Sequence, residues 1–349
     1  APTVAGLAMS FGSGAMTNSI SEIKDCKLIF LIGGNPTEAH PIVGLEMKKA
    51  LRKGCTFIVA DPRKIWFAQH AKLYLPVKPG TDNWLLNAMA HVIIAEGLEN
   101  KEFIKTRTES YEELKEFLKD ITPEKASEFT GIPAEDIRQA ARLYAKSEKS
   151  AIYYTLGITE HTCGTDNVRT IANLALLTGH IGKPSTGVNP IRGQNNVQGA
   201  TDVCIPNKMP GYQDVTDNAV MEKFEKAWGV KLSRTPGATA PTMFERMGKN
   251  QFKALYVIGE DPVLSEPNQD YTMKGLKNLE FLVVQDIFMS ETAKCADVVL
   301  PAASFAEKDG TFTNTERRVQ RVRKAINPIG NSRPDWQITS ELSTRMGYK

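Results

Sequence analysis

The feature that most restricts how this chain can fold is a repeat. Two stretches carry one order of signals: an unbroken apolar run, a Gly-x-Asn/Asp-Pro turn, a helical pattern, a second apolar run closing on an aspartate, and a third closing on Leu-Pro. In the first, residues 27–32 lead to Gly33-Gly34-Asn35-Pro36, Thr56–Ala60 leads to Asp61, and residues 72–77 contain Leu75-Pro76. In the second, Ala254–Ile258 leads to Gly259-Glu260-Asp261-Pro262, residues 281–284 to Gln285-Asp286, and residues 298–300 to Pro301. Pro36 to Asp61 spans 25 positions and Pro262 to Asp286 spans 24, while Asp61 to Pro76 and Asp286 to Pro301 both span 15. Apolar runs without alternation suit strands buried on both faces, and strands alternating with helices build parallel sheets joined by right-handed crossovers. At 349 residues the chain exceeds one comfortable core. The expectation is an α/β protein of two αβα, Rossmann-like domains with parallel sheets, residues 1–194 and 195–349.

Open parallel sheets bind ligands beyond the carboxyl ends of their strands, where turn amides and helix starts face the ligand. The candidates are therefore Asn35, Asp61, Arg63 and Asp82 in the first half and Glu260, Asp261, Gln285 and Asp286 in the second. Matched halves imply two matched ligands, or one ligand with two similar ends. A carboxylate accepts two hydrogen bonds from neighbouring donors, so Asp61 and Asp286 suit ribose hydroxyls or a guanine edge. Either one alone would read as a helix cap; their recurrence at matched spacing favours a site. No Gly-x-Gly-x-x-Gly occurs, which weakens a single-NAD reading.

Residues 189–200, Asn-Pro-Ile-Arg-Gly-Gln-Asn-Asn-Val-Gln-Gly-Ala, hold one guanidinium, five side-chain amides and two glycines, and are expected to lie exposed between the larger units. Arg192 reads as an anion anchor and Gly193 as a point of close backbone approach. Composition alone leaves open an Asx-type connector.

Elsewhere, Pro41 opens a helix with Ile42, Leu45, Met47, Ala50 and Leu51 on its apolar face, and Leu85, Leu86, Met89, Val92 and Ile93 mark another. Residues 101–149 read as helical, with Thr122-Pro123-Glu124 and Pro133 as starts and Glu112, Glu113, Lys115, Glu116 and Lys119 as a solvated face. Residues 151–156 return to strand, and a helix from about 166 ends at Gly179. A short amphipathic helix follows over 217–228, then a poorly patterned connector over 236–241. A last helix from Asp335 carries Trp336, Ile338, Leu342 and Met346.

A net charge of +3 without a basic, aromatic-interleaved run argues against nucleic acid, and the longest apolar runs fall far short of a membrane span. The five cysteines (Cys26, Cys55, Cys163, Cys204, Cys295) are scattered without a Cys-x-x-Cys pair, which suggests reduced thiols, a cytoplasmic setting and no metal-ligand spacing. The five histidines are dispersed and read as packing or capping residues. The chain opens at Ala1 without a methionine and stops at Lys349 just after a helical pattern, so an internal piece of a longer polypeptide is expected.

Residues 189–200, residues 310–320 (Gly-Thr-Phe-Thr-Asn-Thr-Glu-Arg-Arg-Val-Gln), Gly259-Glu260-Asp261-Pro262 and Gln285-Asp286-Ile287-Phe288-Met289 closely resemble the catalytic subunit of molybdenum or tungsten formate dehydrogenases, within the dimethyl-sulfoxide-reductase family. The likeness extends over essentially the whole chain. It implies two αβα domains related by pseudo-twofold symmetry, each holding one molybdopterin guanine dinucleotide, with the metal between them on four dithiolene sulfurs. Carried over by position, Asn35, Glu38, Asp61, Arg63, Gly80 and Asp82 surround one dinucleotide, and Leu156, Gly157 and Glu160 line the pterin side. Gly259, Glu260, Asp261, Gln285, Asp286 and Thr292 serve the other, with Gly193 and Gln194 near the centre. Arg192 matches the arginine beside the metal, suited to hold formate while hydrogen leaves its carbon. The implied partners are formate and a ferredoxin or other electron-transfer subunit. The family's cysteine or selenocysteine ligand followed by histidine falls just before the position of Ala1, and its [4Fe-4S] cysteines and C-terminal domain have no counterpart here, so this stretch alone is expected not to turn over formate. Other members such as nitrate reductases, or a non-catalytic scaffold subunit, share the architecture; Arg192 with its flanking amides discriminates against the former, and a cysteine or selenocysteine followed by histidine just before Ala1 would discriminate against the latter.

Overall fold

The computed structural model of the protein describes residues 2–203 and 205–348, and divides the chain into one unit of residues 1–198 with 313–318 and another of residues 199–312 with 319–349. Ala1 and Cys204 lie outside the described residues.

The first unit is built on five parallel strands, β1 (Leu28–Ile32), β2 (Thr56–Ala60), β3 (Leu73–Leu75), β4 (Ser150–Tyr154) and β5 (Gly187–Pro190), in the order β3-β2-β1-β4-β5. β1 is central and wholly buried. Leu28, Phe30 and Ile32 enter one core with helices Asp82–Ala95, Ala134–Lys146 and Gly164–Thr178, while Ile29 and Leu31 enter a second core with helix Pro41–Arg52. Two covered faces explain why the strand's sequence shows no alternation. Helix Gly164–Thr178 ends as expected, on Gly179 in the left-handed region (φ 67°).

Several local expectations change. In helix Pro41–Arg52 the buried positions are Val43, Gly44, Met47 and Ala50, whereas Ile42 and Leu45 are exposed. Met47 and Ala50 turn inward as expected and Leu51 packs against the second core, while Val43, not Ile42 or Leu45, leads the stripe. β4 stops at Tyr154, and Leu156–Thr159 forms a short helix. The stretch 189–200 is not exposed from its start: Asn189 is fully buried at the end of β5. Its Oδ1 accepts from the Asn18 amide (3.2 Å) and Thr17 Oγ1 (3.4 Å), and its Nδ2 donates to the Thr186 carbonyl (3.1 Å). A side-chain amide can therefore occupy an interior position because each polar atom has a partner.

In the second unit β6 (Lys208–Met209) and β7 (Gln213–Asp214) pair antiparallel, and β8 (Ala254–Ile258), β9 (Phe281–Asp286) and β10 (Val298–Pro301) form a parallel sheet in the order β10-β9-β8. Helices Ala240–Gly248 and Gln269–Lys277 cover one face through Phe244, Met247 and Leu276 against Val257, Leu282 and Val284. The first of these helices follows the connector and has only Phe244 and Met247 buried, too few to give a periodic signal. β8 is not buried on both faces: Val257 alone is buried, and Ile258 is exposed. The helix Asp335–Arg345 buries none of its residues. β11 (Gly310–Thr313) and β12 (Val319–Val322) pair with each other, and the turn between them, residues 313–318, packs within the first unit.

Replacing Asn189 with Ala removes three hydrogen bonds in the interior and strands the Asn18 amide and the Thr186 carbonyl. It should cost about 1–3 kcal/mol, read as a lower urea midpoint without a change in m-value.

Candidate active site

All strands of the first sheet run parallel, so their carboxyl ends share one edge. The helix following β1 belongs to one core and the helix following β4 to the other, so the connections part to opposite faces between these neighbouring strands, the place where such sheets open a crevice. There the backbones close on each other. Gly33 N–H donates to Ala60 O (3.0 Å), Gly157 N–H donates to Gly33 O (3.1 Å), and Thr155 Oγ1 donates to that same carbonyl (2.7 Å). Gly33 has φ 58°, and a Cβ on it would stand 2.8 Å from the Gly157 carbonyl carbon, so a side chain is excluded by both conformation and space.

Beside this contact lies a cleft of about 340 Å³ onto which Asn35, Asp61, Arg63, Asp82, Gly157 and His161 open. Asp61 is 8% exposed and accepts the Arg63 amide on Oδ1 at 2.8 Å. Asp82, 4% exposed, heads helix Asp82–Ala95 and sits 3.7 Å from His161 Nε2, which also lies 2.8 Å from the Gly157 carbonyl oxygen. Burial raises both carboxyls above the usual carboxylate range. For Asp61 the Arg63 amide and guanidinium oppose the rise; for Asp82 its own backbone amide and His161 oppose it, while Asp61 adds to it. Asn35 Oδ1 accepts from Thr37 Oγ1 (2.7 Å), yet its buried Nδ2 has no partner. Desolvated carboxylates and an orphaned amide cost free energy in isolation, and their convergence on one cleft marks a surface shaped for a ligand rich in hydroxyl and N–H donors with an acceptor for Asn35.

The remaining expected residues are more peripheral. Glu38 pairs with Arg63 at 3.5 Å, both well exposed. Gly80 (φ 83°) turns in open space ahead of Asp82, and Leu156, Glu160, Gly193 and Gln194 are exposed. Arg192 follows β5. Its Nη2 donates to the Gly14 carbonyl (2.6 Å), and its backbone N–H donates to Thr315 Oγ1 (3.2 Å). The Tyr154 phenol, its pKa pushed up by burial, feels the Arg192 charge. His40 lies against the Arg192 backbone, and burial pulls its pKa below the usual imidazole range more than this contact raises it.

In the second unit the same local pattern recurs at the strand ends. Gly259 (φ 64°) donates to Gln285 O (2.9 Å) as Gly33 does to Ala60, and Asp286 Oδ1 accepts the Phe288 amide (3.0 Å) as Asp61 accepts that of Arg63. Gly259 and Glu260 are exposed. Asp261, Gln285 and Thr292 spend their polar atoms inside the unit. Asp261 Oδ1 accepts the Thr292 amide (3.0 Å) and hydroxyl (2.6 Å), and its Oδ2 accepts the Glu291 amide (3.2 Å). Burial raises the Asp261 carboxyl, but these bonds together bring it below the usual range. Gln285, fully buried, bridges the Tyr256 hydroxyl and Asp335.

The cleft also takes in Gly33, Gly34, Thr155 and His161, which the sequence pattern does not mark as site residues. The signal for His161 is the turn Thr159-Glu160-His161 after the fourth strand, since it follows the strand that flanks the crevice. Cys26 and Cys55 are buried, their thiols pushed up to about 12 by desolvation, and so are unreactive. Among the described residues no three His, Cys, Asp or Glu side chains gather to hold a metal, and no helix is long and apolar enough to cross a membrane.

Comparison with known proteins bears on this site. The molybdopterin oxidoreductase family model matches residues 4–345. The F420-dependent formate dehydrogenase subunit alpha of Methanocaldococcus jannaschii is 51% identical over 347 residues, covering 99% of this chain and 51% of that protein. Formate dehydrogenase H of Escherichia coli is 46% identical over 349 residues, covering 99% of this chain and 49% of its own length. The structure of acetylene hydratase from Pelobacter acetylenicus superposes with a TM-score of 0.78 at 25% identity, over 99% of this chain and 50% of that one. The chain thus spans about half the length of the curated relatives it matches. With a parallel-sheet fold, a donor-seeking cleft at the strand ends and a family match over almost its whole length, the chain belongs to the molybdopterin oxidoreductase family.

Proposed function

We propose that this chain is the central part of a formate dehydrogenase catalytic subunit, which oxidises formate to carbon dioxide, one proton and two electrons at a bis(molybdopterin guanine dinucleotide) molybdenum or tungsten centre. The observation that carries the reading is the cleft of Asn35, Asp61 and Asp82: the desolvated carboxylates fit the donors of a ribose and a guanine edge, and the unpartnered Asn35 Nδ2 fits an acceptor beside them. Arg63 and Gly157 complete that cradle, with Glu38, Gly80, Leu156 and Glu160 at its margin. For the second dinucleotide Gly259, Glu260 and Asp286 provide the contacts, while Asp261, Gln285 and Thr292 shape the loops that present them. When bound, the metal–pterin group supplies the two-electron acceptor.

Arg192 binds and orients the substrate, with Gly193 and Gln194 beside it. A guanidinium keeps its charge at every working pH and pairs with a carboxylate through two parallel N–H bonds, so it fixes formate in one orientation where a lysine would offer a point charge. Its anchoring to the Gly14 carbonyl and to Thr315 supports this, because a substrate-holding cation must itself be held. The [4Fe-4S] cluster of the resemblance belongs to sequence outside this chain, and the electrons pass to a ferredoxin or another electron-transfer subunit in the cytoplasm.

In the full-length holoenzyme, Arg192→Ala should lower kcat/KM for formate by about 10²–10³-fold with metal and pterin content unchanged, and Arg192→Lys should recover only part of it. Formate turnover near the parent level in Arg192→Ala would contradict the assignment.

The cleft also makes a prediction about pH. Because burial raises the Asp82 carboxyl in the folded chain, its contribution to stability is full below the ordinary carboxylate pKa and is lost as pH rises through the folded value. Asp82→Asn should therefore raise the urea midpoint of the cofactor-free chain at neutral pH, with the gain fading as the pH falls towards the ordinary carboxylate range. The same substitution in the full-length protein should weaken dinucleotide retention. A cofactor-free Asp82→Asn chain less stable than the parent at neutral pH is the opposing result.

A further inference from the structure

We infer that Thr315 is a positioning residue for Arg192. The inference rests on the reading of Arg192 as the formate-binding cation. Thr315 Oγ1 donates to the Pro190 carbonyl (2.8 Å) and accepts the Arg192 backbone N–H (3.2 Å), so one hydroxyl spans the two peptide groups on either side of Ile191. Ile191 is itself fixed: it is buried, and its N–H donates to the Tyr154 carbonyl (2.9 Å). A hydroxyl offers one donor and two acceptor sites, and here it uses both functions on the backbone that carries the guanidinium. Thr315 is 8% exposed, which shields the pair of bonds from competing water. A second tie lies beyond Arg192, where the Thr313 amide donates to Asn196 Oδ1 (3.0 Å).

The turn carrying these groups is rigidly seated. The Glu316 carboxylate accepts the Ile20 amide (2.6 Å) and Asn314 Nδ2 (3.2 Å), and Arg317 donates to the Thr17 carbonyl (3.0 Å). Thr17 in turn donates its amide to Val188 in β5 (3.2 Å), so the turn, residues 17–20 and β5 brace one another. Arg317 has φ 66°, a left-handed conformation that a side-chain-bearing residue keeps only where its surroundings over-determine it. The arrangement costs conformational freedom, and what it delivers is a fixed backbone at residues 190 and 192. With Nη2 held by Gly14, Arg192 is located at both its backbone and its tip.

The test uses the full-length holoenzyme for kinetics and the cofactor-free chain for hydrogen–deuterium exchange. Thr315→Val keeps the shape and removes the hydroxyl; Thr315→Ser keeps the hydroxyl. In Thr315→Val the KM for formate should rise about tenfold, with kcat reduced less than about threefold and metal content unchanged, and amide exchange across residues 191–196 should accelerate. Thr315→Ser should restore both readouts, a rescue that loss of packing alone does not predict. If Thr315→Val loses its metal or fails to fold, Asn196→Ala decides in its place: faster exchange over 191–196 with a raised KM supports the inference, and parent behaviour overturns it. Parent KM and parent exchange in a folded Thr315→Val also overturn it. If Arg192→Ala destroys formate turnover while Thr315→Val leaves both readouts untouched, the positioning role fails and the formate reading stands. If Arg192→Ala leaves turnover intact, the formate reading fails and the positioning role falls with it, whatever the exchange shows.

Discussion

Where β1 and β4 run out, two stretches of backbone come so close that neither Gly33 nor Gly157 has room for a Cβ. The carbonyl of Gly33 takes the amide of Gly157 and the hydroxyl of Thr155, so the point at which the sheet's connections part is locked by hydrogen bonds rather than by side-chain packing. Much of the first unit's site follows from this contact. Asn35 is held at the cleft's edge because it comes two residues after Gly33, and His161 reaches the cleft because it binds back to the Gly157 carbonyl beside Asp82. A fold that packed side chains between these strand ends would have filled the space that the carboxylates now line.

The two units treat equivalent positions differently, and the difference is chemical. Asp61 and Asp286 close the same two-residue turn on a following amide. The position after the Gly-x step is an asparagine with an orphaned Nδ2 in the first unit and an aspartate with both oxygens engaged in the second. Arg63 and Phe288 likewise occupy matching places, one a cation and the other an exposed aromatic ring. The same local turn pattern thus carries different polar groups in the two units.

How much of this could be read from the chain alone depends on the range of the interaction. Residues 28–32 announced a strand covered on both faces because the cause, burial from two sides, acts on every residue of the run. The closely matched spacings of the repeat place Asp61 and Asp286 at strand ends, since strand and helix lengths are set locally. In helix Pro41–Arg52 the pattern marks Met47 and Ala50 correctly but also Ile42 and Leu45, which face outward although they are as apolar as the residues that turn inward. The open outer side of β8 was illegible for a similar reason: an apolar strand reads as buried whether or not anything covers it. Asn189 reads as a surface residue in the sequence because its partners, Asn18 and Thr17, lie some 170 positions away. Pairings of that separation leave no trace in local pattern, and the tie from Thr315 to Pro190, 125 positions apart, belongs with them.

The turn formed by residues 313–318 belongs structurally to a unit whose other residues all precede position 199. During synthesis the arginine loop therefore leaves the ribosome more than a hundred residues ahead of the segment that braces it. The first sheet can assemble early, but its fifth strand keeps a loose end until the chain has grown past the second sheet and returned. Bracing of the loop that carries Arg192 is thereby coupled to completion of a distant stretch of polypeptide, an order of events written into the path of the backbone.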